Sequence, residues 1–310
     1  MTKLITGASG FIGSRLASVK DRLFVHKASS VTGEVIGDLL DSRTVHLACE
    51  GIDTVFHCAG YAHSFSALNK ESAVRHWTIN FEGTRNLVEA AGKAGVKRFV
   101  FLSSVKAMAE PGAICADENW PGEPATAYGQ AKRAAEVAVL VAGERYDMHV
   151  VNLRLAMVYG SGGRGNLERM GRLVRRGLFP PLPETGNHRS LVHVDDVIAA
   201  MRLVADDNRA NGRTYIVAAQ EAPSGRGLYD ALRNALGMER CTWAVPESAL
   251  RRAARIGDGL ESLLRRRLPL DSEALERLLG SAWYSSAGIE RELGWTARIS
   301  LAEGLREMFK

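Results

Sequence analysis

The run Gly7-Ala8-Ser9-Gly10-Phe11-Ile12-Gly13 constrains this chain more than any other, because it follows the apolar strand Lys3–Thr6 directly and leads into a helical pattern over Phe11–Ser18. Glycines at that spacing allow a sharp turn, let backbone approach a pyrophosphate, and let the helix pack closely on the strand. The first N–H groups of the helix and the positive end of its dipole then face the phosphates. A glycine triplet alone is an ordinary strand–helix turn, so the surrounding pattern decides. Apolar runs recur at Leu23–His26, Thr54–Cys58, Arg98–Leu102 and His149–Leu155, with helical patterns over Asn69–Lys93 and Thr126–Gly143. That alternation predicts an α/β fold, a Rossmann-type doubly wound parallel sheet with ligands at the carboxyl ends of its strands.

After Tyr159 the texture changes. Ser161–Gly165 reads as a loop, followed by a basic helix, the Pro180-Pro-Leu-Pro183 turn, a strand at Ser190–Val194 and arginine-rich helical segments. We expect a dinucleotide-binding domain over 1–160 and a smaller α+β substrate-binding part over 161–310, with segments near 187–220 returning to the first domain. A chain of 310 residues, 46% apolar, can bury such a core. The first strand begins at Lys3, which leaves no room for a signal peptide, and no apolar run is long enough to span a bilayer. Cys49, Cys58, Cys115 and Cys241 lack metal-ligand spacing and read as free thiols. A cytoplasmic protein without a metal follows.

The net charge of +5 is largely arginine and favours a phosphate-bearing ligand. Arg169, Arg172, Arg175 and Arg176 lie on one amphipathic stretch; Arg251, Arg252, Arg255 and Arg265–Arg267 lie on another, with Leu250, Leu260, Leu263 and Leu264. A solvated face over a core stripe explains both better than membrane contact does. The arginines lack interleaved aromatics, which argues against nucleic acid.

Thr126-Ala-Tyr128-Gly-Gln-Ala-Lys132 carries the chemistry. Four residues apart on a helix, Tyr128 and Lys132 share a face. A fixed cation beside a phenol lowers its ordinary value of about 10 and makes it a proton donor and acceptor near neutral pH. Ser104 ends the apolar strand Arg98–Leu102 where a hydroxyl can meet a substrate oxygen, and Ser103 is expected to face the cofactor. The end of the second strand, Val25-His26-Lys27, has no acid for a ribose hydroxyl. Lys27 and His26 there suit a 2′-phosphate, which favours NADP(H) over NAD(H). Asp38-Leu39 is placed to border the adenine. His57 reads as core packing, and His63 beside it as a candidate substrate contact.

Taken together, these residues resemble the extended short-chain dehydrogenase/reductase family, in particular its nucleotide-sugar epimerases, dehydratases and 4-ketoreductases. The Gly-x-x-Gly-x-x-Gly spacing is similar to that branch. His57-Cys-Ala59-Gly60, Asn80-Phe-Glu-Gly-Thr84, Arg154–Gly160 with Val158, Arg189–Asp196, and Glu292-Leu-Gly-Trp295 with Ser300–Gly304 resemble further family segments in the same order. The resemblance implies cofactor contacts from the glycine loop, Ala59, Gly60, Asn80, Val158, Tyr128 and Lys132. It implies substrate contacts from Ser104, Asn166 and Arg189, the last two at a nucleotide diphosphate, and Lys106 is a further candidate substrate contact. It also implies a homodimer built on the Asn69–Lys93 and Thr126–Gly143 helices.

Met157 stands where many 4-epimerases carry asparagine, and Lys106 and Met108-Ala109 replace a small residue and a Tyr-Gly. Ser103-Ser-Val-Lys106 and the Asn187–Val192 run are similar to enzymes acting at C4 of UDP-N-acetyl sugars. The expected activity is therefore epimerisation or 4-keto reduction of a UDP-hexose or UDP-N-acetylhexosamine. A hydroxysteroid- or flavonoid-type alcohol dehydrogenase of the same fold is the rival, and a non-catalytic NADP-binding sensor the third reading. A dehydratase fits less well, since Val105-Lys106 supplies no acid pair beside Ser104.

Overall fold

The computed structural model describes residues 2–27, 33–61, 70–163, 165–264 and 272–310. In chain order its elements are β1 (Lys3–Thr6), α1 (Gly13–Leu16), β2 (Arg22–Val25), β3 (Glu34–Ile36), α2 (Ser42–Cys49), β4 (Thr54–His57) and α3 (Lys70–His76). A π-helical turn, Trp77–Glu82, joins α3 to α4 (Gly83–Lys93). Then follow β5 (Arg98–Ser104), α5 (Ala127–Tyr146), β6 (His149–Leu155), β7 (Met157–Tyr159), α6 (Asn166–Arg175), β8 (Leu191–His193), α7 (Val194–Asp206) and β9 (Arg213–Val217). The C-terminal helices are α8 (Gly225–Ala235), α9 (Glu247–Leu264), α10 (Ser272–Leu279), α11 (Ala287–Leu293) and α12 (Leu301–Phe309).

Seven parallel strands form the main sheet in the order β3-β2-β1-β4-β5-β6-β9. The chain runs outward from β1 through β2 to β3 and then returns to β4 on the other side. That reversal opens a crevice at the carboxyl ends of β1 and β4, where α/β sheets bind ligands. The middle strands are apolar along nearly their whole length, as strands covered on both faces must be. Leu4, Val55, Phe99, Phe101 and Val150 pack under Leu87, Val88, Ala135, Val139 and Ala142 of α4 and α5. On the opposite face Ile5, Phe56, Val100, Val151 and Leu153 meet Val197, Met201 and Val204 of α7 and Ile289 of α11. The sheet is thus doubly wound, as its alternating sequence predicts.

A separate core, with Leu167, Met170, Leu182, Leu228, Leu232, Leu250, Leu279 and Leu305, holds α6, α8, α9, α10 and α12 together. The paired strands β7 and β8 form a second small sheet beside it. On α9, Leu250 and Ala254 face this core, whereas Arg251, Arg252 and Arg255 are exposed. Arg265–Arg267 lie outside the described residues, as do the side chains of Leu260, Leu263 and Leu264.

Candidate active site

The glycine loop forms a cradle against the end of β4. Gly7 has φ 69°, and a methyl group built on it would lie 2.7 Å from the Ala59 nitrogen. On Gly13 the same group would lie 2.3 Å from the Gly7 carbonyl oxygen. Gly10 donates its N–H to that carbonyl at 2.8 Å, and Ser9 and Gly10 present their exposed surface outward. Phe11 lies against Gly163 of the loop after β7, near enough for a methyl group built there to meet its ring at 3.1 Å. The helix expected over Phe11–Ser18 is one turn, Gly13–Leu16, because extended backbone at Ala17 ends it.

Beneath the cradle runs an oriented chain of hydrogen bonds. The Ala59 N–H donates to Thr6 Oγ1 at 3.2 Å, and Thr6 Oγ1 lies 2.6 Å from His57 Nδ1. His57 Nε2 lies 2.9 Å from Thr84 Oγ1, which donates to the Asn80 carbonyl at 2.7 Å. The Thr84 proton is committed to Asn80, so His57 must donate from Nε2 and accept at Nδ1. Burial drives its pKa down to about 3, with Lys132 adding in the same direction, so it stays neutral. Asn80 sits in the π-helical turn and exchanges two hydrogen bonds with Tyr61, at 2.8 and 2.9 Å. Such turns recur where a helix must re-aim a functional side chain. The π-helical turn interrupts the single helix expected over Asn69–Lys93, where apolar spacing alone does not mark it.

Tyr128 reaches the end of β5 because α5 starts very close to it. Thr126 caps α5 by accepting from the Gly129 N–H at 3.1 Å. A methyl group on Gly129 would lie 2.1 Å from the Lys106 carbonyl oxygen, so only glycine lets the first turn of α5 approach the 3₁₀ turn Val105–Ala107. Ser104 caps that 3₁₀ turn and shares a hydrogen bond with Tyr128. Burial pushes the Tyr128 phenol above its ordinary value, and the Ser104 bond pulls the other way. This corrects the expectation that Lys132 lowers it. Lys132 is 5% exposed, donates to the Leu102 carbonyl at 2.8 Å and lies 4.6 Å from the Phe101 ring centroid. Burial lowers its pKa to about 8, against the opposing pull of Glu136 and Cys58. Its Nζ is 3.5 Å from where a methyl group on Gly60 would stand, so the ammonium borders the cradle.

Ser103 corrects a second expectation. Its hydroxyl is buried and donates to Glu136 at 2.6 Å, which commits it to the interior. Glu136 also takes both prongs of Arg154, and sequence reasoning missed it. Its place one turn beyond Lys132 on the same face was the available signal.

Among the remaining candidates, His26 and Lys27 stand exposed just past β2. The Asp38 carboxylate caps the Leu40 N–H at 2.9 Å, and Leu39 packs against Gly83. Val158 is half-buried in β7. Lys106 pairs with Glu110. Asn166 is exposed on the first turn of α6. Arg189 donates to the Gly280 carbonyl at 3.4 Å, and burial pulls its pKa below the usual arginine value. His63 lies outside the described residues.

A parallel sheet whose strand order reverses beside a glycine-lined cradle, with a tyrosine and a lysine at the cradle's edge, defines a dinucleotide-binding enzyme fold. Residues 3–218 match the NAD dependent epimerase/dehydratase family, and the chain belongs to it. The UDP-glucose 4-epimerase of Vibrio cholerae is 28% identical over 98% of this chain and 93% of its own length. The sterol demethylase protein B of Methylococcus capsulatus is 30% identical over 95% of this chain and 93% of its own. Among solved structures, MoeE5 in complex with UDP-glucuronic acid and NAD superposes with a TM-score of 0.77 at 25% identity, covering 100% of this chain and 98% of that one.

Proposed function

We propose that the protein is an NAD(P)-dependent enzyme acting on a carbinol or ketone carbon of a nucleotide-activated sugar, UDP-linked and at C4, by epimerisation or by 4-keto reduction. The observation that carries this reading is the meeting of Ser104, Tyr128 and Lys132 at the carboxyl end of β5, beside the glycine cradle. The loop suits a dinucleotide, since glycine at positions 7 and 13 lets it fold tightly against its own backbone and Ala59, which leaves Ser9 and Gly10 exposed at the start of α1. Bound there, a nicotinamide would accept or deliver the hydride.

This chain's own residues do the rest. Burial keeps the Tyr128 phenol protonated, ready to donate to a substrate oxygen as negative charge grows there and to recover the proton in reverse. Ser104 fixes the direction of that phenol and offers the same oxygen a second hydrogen bond. Lys132 supplies positive charge at the cradle's edge, which favours the phenolate as it forms. Arg189 brings a desolvated guanidinium whose planar fork matches a diphosphate. The UDP-sugar ligand of MoeE5 and the activity of the Vibrio relative support that choice.

The exposed Lys27 and His26, with no carboxylate beside them, favour NADP(H) over NAD(H). Exposed Val74, Trp77, Val137 and Val141 lie on α3, the π-helical turn and α5, which pack side by side, and favour a homodimer across that face. Among the described residues no helix is long and apolar enough to cross a membrane, and all four cysteines are free thiols, which fits work in the cytoplasm.

The similarity to a sterol demethylase protein favours a second reading, an apolar alcohol or ketone as substrate. Heat denaturation with added UDP, UDP-N-acetylglucosamine or a sterol separates the two. The sugar reading expects a melting point several degrees higher with either uridine ligand and unchanged with sterol. The reverse pattern would reject it.

A further inference from the structure

One buried charge cluster has no part in the reaction just described. Glu136 is 2% exposed and lies one helical turn beyond Lys132 on α5. Arg154 of β6 takes both of its oxygens, Nε to Oε1 at 2.9 Å and Nη2 to Oε2 at 2.8 Å, and Ser103 donates to Oε1 at 2.6 Å. Arg154 is 3% exposed and anchors its third donor on the Glu118 carbonyl at 3.2 Å. Glu118 in turn accepts from the Ile216 N–H of β9 at 2.8 Å. At the solvent edge, Arg133 lies 3.6 Å from Glu136 Oε2. A fully buried ion pair is a poor source of stability, because desolvation offsets the attraction and apolar side chains of equal volume serve as well. The cluster therefore calls for another role, and the nearest charged group at the cleft is Lys132.

Lys132 has three N–H bonds, one of which goes to the Leu102 carbonyl. The titratable groups facing it are His57 and Cys58 at the end of β4, and Tyr128 and Glu136 on its own helix. Burial keeps His57 neutral, Cys58 a thiol and Tyr128 a phenol. Among these groups Glu136 alone is left to carry negative charge at neutral pH. Arg154 and Ser103 occupy its lone pairs, so it acts on Lys132 through the field and not by a direct bond.

We propose that Glu136, locked in place by Arg154 and Ser103, is a positioning residue that keeps Lys132 an ammonium and leaves its free N–H bonds directed at the cradle. The inference rests on the reading of Tyr128 and Lys132 as the reacting pair, and its test does not use turnover. Protein free of cofactor, isotope-labelled at lysine Cε, is titrated by NMR, and Lys132→Met identifies the signal. The wild type is expected to titrate near pH 8.

Glu136→Gln keeps the shape, removes the carboxylate and leaves Arg154 charged, so the midpoint falls by about one pH unit or more. Arg154→Met frees the carboxylate to act on Lys132 and raises the midpoint by a similar amount. Ser103→Ala removes one donor without stranding a charge and gives a smaller rise, which keeps the test valid should either charge variant fail to fold. A purely structural role moves none of these midpoints. Folded variants with an unmoved Lys132 signal, or with all shifts in one direction, would overturn the proposal. Shifts as described in a protein that turns over no nucleotide sugar would leave it standing and remove the functional reading instead.

Discussion

The two sides of the cleft are built on different terms. On the cofactor side, Thr6, His57, Thr84, Asn80 and Ala59 pass one directed chain of hydrogen bonds between β1, β4 and α4, with Lys132 close above it. On the proposed substrate side, the Arg189 guanidinium makes a single long hydrogen bond to a carbonyl among the described residues, and Asn166 stands exposed. The polar groups of the first side are committed to one another, which makes it the stiffer of the two. Under the proposed function the second keeps donors in reserve for a ligand. Such a division lets one scaffold hold an unvarying reaction centre while the facing wall selects the substrate.

The comparison can be broken by changing either side alone. The largest expected effect is on the rigid side. His57 titrates at about 3 in the folded protein against about 6.5 when unfolded, because burial disfavours its charge. The unfolded chain then binds the extra proton, so stability is complete above pH 6.5 and is lost as pH falls towards 3, by about 5 kcal/mol in all. Denaturant titrations across that range should show the loss in the wild type and much less of it in His57→Gln. Equal acid sensitivity in both would mean that the His57 chain is not the rigid element.

Next in size, Tyr128→Phe should lower kcat/KM about 10³-fold with little change in cofactor affinity, as loss of a proton donor does. A smaller effect is expected across the cleft. Arg189→Ala should weaken nucleotide-sugar binding about 10–100-fold and leave the cofactor dissociation constant unchanged, which calorimetry on each ligand separately would check. If both constants moved together, the two walls would not be independent. The smallest effect is Lys27→Ala, which should reduce the preference for NADP(H) over NAD(H) about tenfold, measured as the ratio of the two dissociation constants.

The unequal construction also governs what could be read from sequence. The glycine loop, Tyr128 with Lys132, and the strand pattern are local, and periodicity or spacing within a few residues exposes them. What stayed hidden depends on contacts between distant segments. The inward turn of Ser103 is set by Glu136, 33 residues away. The upward shift of Tyr128 comes from burial that no spacing records. The three-residue strands β3 and β7 are too short to show a pattern, whereas β9, Arg-Thr-Tyr-Ile-Val, carries a strand-like run that the expected strands left out. The π-helical turn at Asn80 is a one-residue change in hydrogen bonding inside an otherwise helical sequence.

Under the proposed function one phenol, one ammonium and one dinucleotide cradle act together on a single sugar carbon. A single turnover with a UDP-sugar deuterated at C4, or with reduced cofactor deuterated at its transferable position and the 4-keto sugar, tests it most directly. Deuterium should pass between the sugar C4 and the nicotinamide ring in the wild type, and about 10³-fold more slowly in Tyr128→Phe at equal ligand occupancy. Epimerised product whose C4 label has been lost to solvent, reduced product formed with the label still on the cofactor, or transfer by the variant at the wild-type rate, would contradict it.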